Sequence, residues 1–342
     1  MKLKNEARYV QAIERSVGWV IKQQVADGSF GPEIQALQAY YNAPNLLTVT
    51  GRYREAGRLA DCVQRSFLKP DGDFRADPDS RSPGQKAYRH IYMNGWLVSG
   101  FQRMGRFDLS TAGLKYISSF QDEATGGIWS AANADYKPNK ALLELSGAST
   151  GGLAMLYCEQ IERARRAADF ICMLVETQPD FDRYLYTVYK PNVGLVTEPP
   201  ADMLDACVVD AQKEWAWYWQ LGFAMHTLGK TYLATGENKY LAIARKLFDF
   251  FERCQEDRFR ALASGKVAWG AAILYKVTGD DRYLEVIEQI LDNFVEMQQP
   301  EGTWFNFPYF KSLAEQPPVA TLELTIELAY LSSEVVSTLA GN

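Results

Sequence analysis

The stretch that most restricts what this chain can become runs from Ser264 to Trp304. Ser264-Gly265-Lys266-Val267-Ala268-Trp269-Gly270-Ala271-Ala272-Ile273-Leu274-Tyr275 is apolar or small on nearly every side. That is how a helix buried all round looks. Thr278-Gly279-Asp280 interrupts it. Tyr283, Leu284, Val286, Ile287, Ile290, Leu291, Phe294 and Val295 then recur at helical spacing, with Arg282, Glu285, Glu288 and Asp292 between them. This second helix buries one stripe and shows the rest to water. Gln299-Pro300-Glu301-Gly302-Thr303-Trp304 ends the unit. The module is therefore an inner helix, a glycine turn, an outer helix and a Gly-x-Trp loop.

The same module recurs along the chain. Amphipathic outer segments are expected at about 4–24, 52–68, 108–120 and 161–177, and after Thr235-Gly236-Glu237. Small and apolar inner segments are expected at about 33–49, 88–104, 142–158, 209–234 and 319–338. Residues 75–86 and 179–208 are polar or proline-rich and read as loops. Short inner-to-outer turns imply antiparallel helical hairpins. Six outer and six inner helices in strict alternation predict an all-α (α/α)6 toroid, two rings of helices in a single domain spanning 1–342. The long loops all precede inner helices, so they gather at one end, the expected mouth of a central pocket.

With 47% hydrophobic residues the chain can fill such a core. A net charge of −6 without a basic block argues against nucleic acid as a partner. No apolar run approaches a membrane span and no apolar segment follows Met1-Lys2-Leu3-Lys4, so neither membrane insertion nor a leader is expected. Cys62, Cys158, Cys172, Cys207 and Cys254 are scattered and lack Cys-x-x-Cys spacing. They read as thiols of a cytoplasmic protein. With only His90 and His226 to add, no metal site and no cofactor is expected. The partner is expected to be a small-molecule substrate; the oligomeric state stays open.

Phe294-Val295-x-x-x-Gln299-x-x-Gly302-x-Trp304 and Tyr116-Ile117-x-x-x-Gln121, followed by Gly127-x-Trp129, resemble the QW repeat of squalene/hopene-type terpenoid cyclases. Trp19-Val20-x-x-x-Gln24-x-x-x-Gly28-x-Phe30 is a weaker copy. The resemblance covers the repeat framework and implies the toroid of terpenoid cyclases and protein prenyltransferases. Six-hairpin glycosidases and sugar epimerases show similar turns, and both Thr278-Gly279-Asp280 and Thr235-Gly236-Glu237 resemble theirs. The Asp-x-Asp-Asp acid of class II cyclases is absent: Asp71-Gly72-Asp73 and Asp77-Pro78-Asp79 lack its last aspartate. The histidine pair that the epimerases use matches His90 and His226 poorly, because His226 lies several turns into its segment.

The densest chemistry lies at Asp205-Ala206-Cys207-Val208-Val209-Asp210-Ala211-Gln212-Lys213-Glu214-Trp215-Ala216-Trp217-Tyr218-Trp219. On a helix, Asp210, Glu214 and Trp217 share a face. Two carboxylates beside aromatics can divide into an acid and a base, or form a solvated helix start. His90, with Asn94 on its face, is a candidate proton shuttle or a satisfied structural histidine. Lys266 in an apolar helix needs an acidic partner or serves an anion. Glu323 and Glu327 share a face of the last inner helix, and Glu144 stands near the third. Tyr88, Tyr92, Trp129, Trp217, Trp269, Trp304, Phe305 and Phe307 are candidate substrate walls or plugs of the ring. The leading expectation is an enzyme that cyclises or isomerises a largely apolar terpenoid- or polyketide-like intermediate, with Asp210, Glu214 and His90 as acid/base groups. The alternatives are a carbohydrate enzyme with paired carboxylates and a non-catalytic binding toroid.

Overall fold

The computed structural model describes residues 3–79, 81, 83–131 and 135–340. Its helices alternate as expected. The outer ones are α1 (Glu6–Gln23), α3 (Tyr53–Ser66), α5 (Phe107–Ser118), α7 (Ile161–Glu176), α9 (Asn238–Glu252) and α11 (Asp281–Met297). The inner ones are α2 (Ala43–Val49), α4 (Pro83–Arg103), α6 (Leu145–Tyr157), α8 (Trp219–Thr235), α10 (Gly265–Thr278) and α12 (Pro318–Ala340). Each inner helix packs on the next, and α12 returns to α2. The chain is thus an (α/α)6 toroid, closed where α1 meets α11 and α12. At that seam Tyr9 Oη donates to Asp292 at 2.9 Å and Ser16 Oγ donates to the Gly302 carbonyl at 2.7 Å.

The repeat motif explains the closure. Gly28, Gly72, Gly126 and Gly302 have φ of 91°, 91°, 80° and 99°, which L side chains rarely adopt. Each presses on the backbone of the next outer helix: Gly28 on Arg58, Gly72 on Ala112, Gly126 on Arg166 and Gly302 on Arg15. A glutamine amide stitches three of these seats. Gln24 Nε2 donates to the Gly28 and Glu55 carbonyls at 3.2 and 3.0 Å. Gln121 Nε2 donates to those of Gly126 and Arg163 at 3.1 and 2.9 Å. In the last copy Gln298, not Gln299, reaches α1, donating to the Ala12 carbonyl at 2.9 Å. The seated glycine of the second copy is likewise Gly126, one residue before the expected Gly127.

Three boundaries differ from the sequence expectation. Of the segment 33–49 only Ala43–Val49 is α-helical, because Pro44 fits a first turn and not a helix interior. The loops carry short strands: β1 (Trp129–Ala131), β2 (Pro138–Glu144), β3 (Tyr184–Tyr186), β4 (Val188–Lys190), β5 (Gly194–Leu195) and β6 (Val208–Asp210). They form a four-stranded sheet in the order β1-β2-β4-β5 and a β3-β6 pair. Finally, α8 begins at Trp219 and not near 209. The β-branched pair Val208-Val209 joins β3 instead, and Trp215 sits at φ 56°, outside helical geometry.

The ring axis is filled below the mouth. Trp96 stacks on Phe223 and Trp269 with centroids 4.9 and 5.4 Å apart, and Tyr330 meets it edge-on at 5.5 Å. The pocket above is therefore blind. Among the described residues, no helix is long and apolar enough to cross a membrane.

The glycine seat makes a direct prediction. Gly302→Ala puts a Cβ 2.7 Å from the Arg15 carbonyl carbon at a φ of 99°. It should lose at least about 1–2 kcal/mol from the left-handed backbone alone. Gly57→Ala, in outer helix α3 with nothing near its Cβ position, should be neutral or gain about 0.5–1 kcal/mol. Thermal unfolding of both variants checks this; equal melting temperatures would contradict the closure mechanism.

Candidate active site

A cavity of about 420 Å3 opens at the end where the inner helices begin. That size suits a small organic ligand. Its residues come from the starts of these helices and the loops before them. Tyr41 precedes α2, Arg89 and Tyr92 lie on α4, Trp219 opens α8, Lys266 lies in the first turn of α10, and Glu323 and Glu327 lie on α12. Trp215 and Trp217 enter from the loop before α8, and Asn306, Phe307, Tyr309 and Phe310 from the loop before α12. The two loops touch across the mouth. Trp217 Nε1 donates to Tyr309 Oη at 3.2 Å, and Trp215 meets Phe307 edge-on at 5.1 Å.

The floor holds two ion pairs. Lys266 Nζ pairs with Glu327 Oε1, and Arg89 pairs with Glu323 Oε1. Tyr41 Oη sits 3.0 Å from an oxygen of each carboxylate. Asn42 Nδ2 and Tyr92 Oη approach Glu327 Oε2 at 3.2 and 3.3 Å. Burial pushes the Glu327 carboxyl up, but the Lys266 ammonium, the Tyr41 hydroxyl and Arg89 outweigh it and hold the carboxyl below the usual range. Burial pulls Lys266 down, and Glu327 and Tyr92 more than reverse it. Both groups stay charged.

Beside this cavity lies a chamber of about 20 Å3, room for a single water. It shares Arg89, Trp217 and Trp219 with the cavity and adds Glu144, Ser146, Thr187 and Gln220. Glu144 ends β2 and precedes α6 in extended backbone. Burial pushes its carboxyl well above the ordinary range, and the Ser146 hydroxyl, 3.1 Å from Oε2, offsets this only in part.

Of the residues singled out in the sequence, Tyr92, Trp217, Lys266, Phe307, Glu323 and Glu327 line the cavity. The Tyr88 side chain lies outside the described residues. Asp210 and Glu214 share no helical face, since both precede α8. Asp210 ends β6 and pairs with Arg183 at 3.3 Å, and Glu214 is exposed; neither lines the cavity. His90 is buried away from the cavity. Its Nε2 lies 2.7 Å from Asp73 Oδ1 and its Nδ1 2.9 Å from the Arg81 guanidinium. Arg81 can only donate, so Nδ1 accepts and Nε2 carries the hydrogen. Burial lowers the affinity of His90 for a second proton, and Asp73 restores it only in part. This neutral histidine ties Asp73 to Arg81.

Trp269 has no exposed surface and stacks on His226 within the axial plug. Trp304 is buried, its Nε1 donating to the Phe294 carbonyl at 2.8 Å. Trp129 packs in β1, and neither it nor Phe305 lines the cavity. Tyr41 and Arg89 were not singled out from the sequence. Their signal was position at or near an inner-helix start, which also holds for Glu144. Among the described residues, no group of three or more histidine, cysteine, aspartate or glutamate side chains is placed to hold a metal ion.

A family model described as "Beta-L-arabinofuranosidase, GH127 catalytic domain" matches residues 146–316, half of the chain. Solved structures similar to it include a D-mannose isomerase at 13% identity, covering 97% of each chain with a TM-score of 0.69. A family 76 α-mannanase of Bacteroides thetaiotaomicron is similar at 12% identity and a TM-score of 0.66, covering 98% of this chain and 97% of the other. An unsaturated glucuronyl hydrolase specific for heparin is similar at 12% identity and 0.58, covering 98% of this chain and 96% of the other. No curated protein sequence matches the chain.

These findings overturn the terpenoid reading. The family model and the glycoside hydrolase and sugar isomerase neighbours stand on the carbohydrate side of the toroid folds, so the chain is an enzyme but not a terpenoid cyclase. The cavity gives the physical reason. A polyene would take water from the charged floor of Arg89, Glu323, Lys266 and Glu327 and offer it no hydrogen bond in return.

Lys266→Met leaves Glu327 as a buried charge without its partner and should cost about 3–5 kcal/mol, most of it recovered in Lys266→Met/Glu327→Gln. The Glu327 carboxyl binds its proton more weakly in the folded chain than its ordinary value of 4.5. Its contribution is therefore complete above about pH 4.5 and fades as pH falls through the lower folded value. Urea unfolding between pH 3 and 7 checks both; a Glu327→Gln variant with the acid sensitivity of wild type would contradict the assignment.

Proposed function

The chain belongs to the family of the GH127 β-L-arabinofuranosidase catalytic domain, and on that footing we propose that it is a carbohydrate-active hydrolase that cleaves a glycosidic bond in the cavity at the mouth of the toroid. The observation that carries this reading is the pairing of aromatic walls with a carboxylate floor. Trp215, Trp217, Trp219, Tyr92, Phe307 and Tyr309 offer rings to the apolar side of a sugar, while Glu323, Arg89 and Asn306 can bond its hydroxyls.

Glycoside cleavage passes through a cationic sugar, which carboxylates stabilise. Glu327, held ionised by Lys266 and saturated by its other partners, suits electrostatic stabilisation. Glu323 has fewer partners and suits work as a base or nucleophile. Lys266 and Arg89 are each matched by a carboxylate. The floor is thus neutral in sum, which supports a neutral sugar over an acidic one. Neither His90 nor His226 lines the cavity, which argues against a histidine-driven isomerase. The buried thiols Cys62, Cys172 and Cys254 support a cytoplasmic setting.

The test is a panel of aryl glycosides, including β-L-arabinofuranosides and α-D-mannopyranosides, together with unmodified D-mannose. Release of the aryl alcohol is expected from at least one. Glu323→Gln should lower its turnover about 10²–10⁴-fold, and Trp217→Ala should act mainly on KM. Conversion of D-mannose to a ketose with no aryl glycoside cleaved would overturn the proposal.

A further inference from the structure

Hydrolysis by two carboxylates needs one that arrives at the bond carrying a proton. Glu323 and Glu327 are poorly suited, because each is fixed against a cation. The third carboxyl at the mouth, Glu144, is in a different situation. It is 4% exposed, and among the described residues it pairs with no cation; its Oε2 accepts from Ser146, and its buried Oε1 has no hydrogen-bond partner among them. It lines the water-sized chamber, whose Arg89, Trp217 and Trp219 walls are also walls of the main cavity.

We infer that Glu144 is the acid of this site, giving its proton across the chamber to the departing glycosidic oxygen. This rests on the reading of the cavity as a glycoside-cleaving site. In the step, the bond from the anomeric carbon to the glycosidic oxygen breaks and its electron pair stays on that oxygen. The oxygen takes the Glu144 proton, directly or through the one water the chamber can hold, and leaves as an alcohol. A water supplies the new hydroxyl at the anomeric carbon and gives its proton to Glu323. One water is consumed, and proton exchange with solvent returns Glu144 to its acid form and Glu323 to its base form.

The surroundings keep Glu144 protonated between turnovers. Among the described residues facing Glu144 in the chamber wall, Arg89 of α4 is the charged one, and its guanidinium is engaged by Glu323. Ser146, Thr187, Val188, Ala206, Trp217, Trp219 and Gln220, the other described residues of that wall, carry no charge. Lys140 on β2 and Lys190 on β4 are exposed. The start of α6 would favour an anion, yet no backbone N–H of that helix bonds the carboxylate. Burial is therefore the dominant influence, and it favours the neutral acid.

The experiment compares wild type with Glu144→Gln on two aryl glycosides of the same sugar, one with a phenyl and one with a 2,4-dinitrophenyl leaving group. A phenyl group needs the proton and a dinitrophenolate does not. Glu144→Gln should lose about 10²–10⁴-fold on the phenyl glycoside and stay within about tenfold on the dinitrophenyl one. Wild-type turnover of the phenyl glycoside should fall at alkaline pH, and the variant should lack that limb. The infrared difference spectrum at neutral pH, wild type minus variant, should contain the carbonyl band of a protonated carboxyl. Equal losses on both substrates, full activity of the variant, or absence of that band would overturn the role of Glu144 and leave the glycosidase reading standing. A wild-type enzyme that cleaves neither glycoside of any sugar in the panel would overturn the glycosidase reading, and this proposal with it.

Discussion

A lysine buried in the first turn of an inner helix dictates much of this molecule. Lys266 has almost no contact with water, and an isolated ammonium there would be several kcal/mol too expensive to keep. It persists because Glu327 comes from α12 to meet it and Tyr41 donates to that carboxylate. That meeting fixes the register of α10 against α12. The other side of α10 is set by Gly222, where any side chain would overlap the Lys266 backbone. Close packing on one flank and a charge pair on the other leave α10 little freedom. The cavity inherits that rigidity, which a site needs if carboxylates are to be held at fixed positions around a reacting bond.

Around the outside, ring closure is a repeated local event. A glycine in a left-handed conformation seats its loop on the following outer helix, and at three of the four seats a glutamine amide sews it down. The last seat falls on the first helix, so the chain ends where it began. This also explains why the repeat resembles that of terpenoid cyclases without sharing their chemistry. The Gln and Trp serve the framework: Trp304 bonds the helix before it and Gln298 the helix after. The resemblance therefore reported on architecture.

The fold was largely legible because burial period and glycine turns are local signals. All-round apolar helices such as α10 and one-striped helices such as α11 differ at a glance, and their alternation leaves few arrangements. What escaped were places where a local rule met a stronger one. Val208-Val209 pairs with β3 and removes Asp210 from the helix on which it would have faced Glu214. The site was legible in part. Lys266 and Glu323 stood out as charges in apolar helices, and both line the cavity. Arg89 and Tyr41 did not, because one arginine or tyrosine among many carries no signal until the ring brings them together. His90 attracted attention as a rare residue, yet its partners are Asp73 and Arg81, and its work is to tie the two together. Glu144 looked ambiguous because nothing in the sequence says that its neighbours across the chamber carry no charge free to ionise it.

The central claim is that a sugar occupies the aromatic mouth above the two ion pairs. The most direct measurement is a crystal structure of a catalytically slowed enzyme soaked with the glycoside it cleaves. The account predicts a sugar ring against Trp217 or Trp219, hydroxyls bonded by Glu323 and Arg89, and the glycosidic oxygen turned toward the chamber of Glu144. A sugar bound elsewhere on the molecule, with this cavity empty, would contradict it.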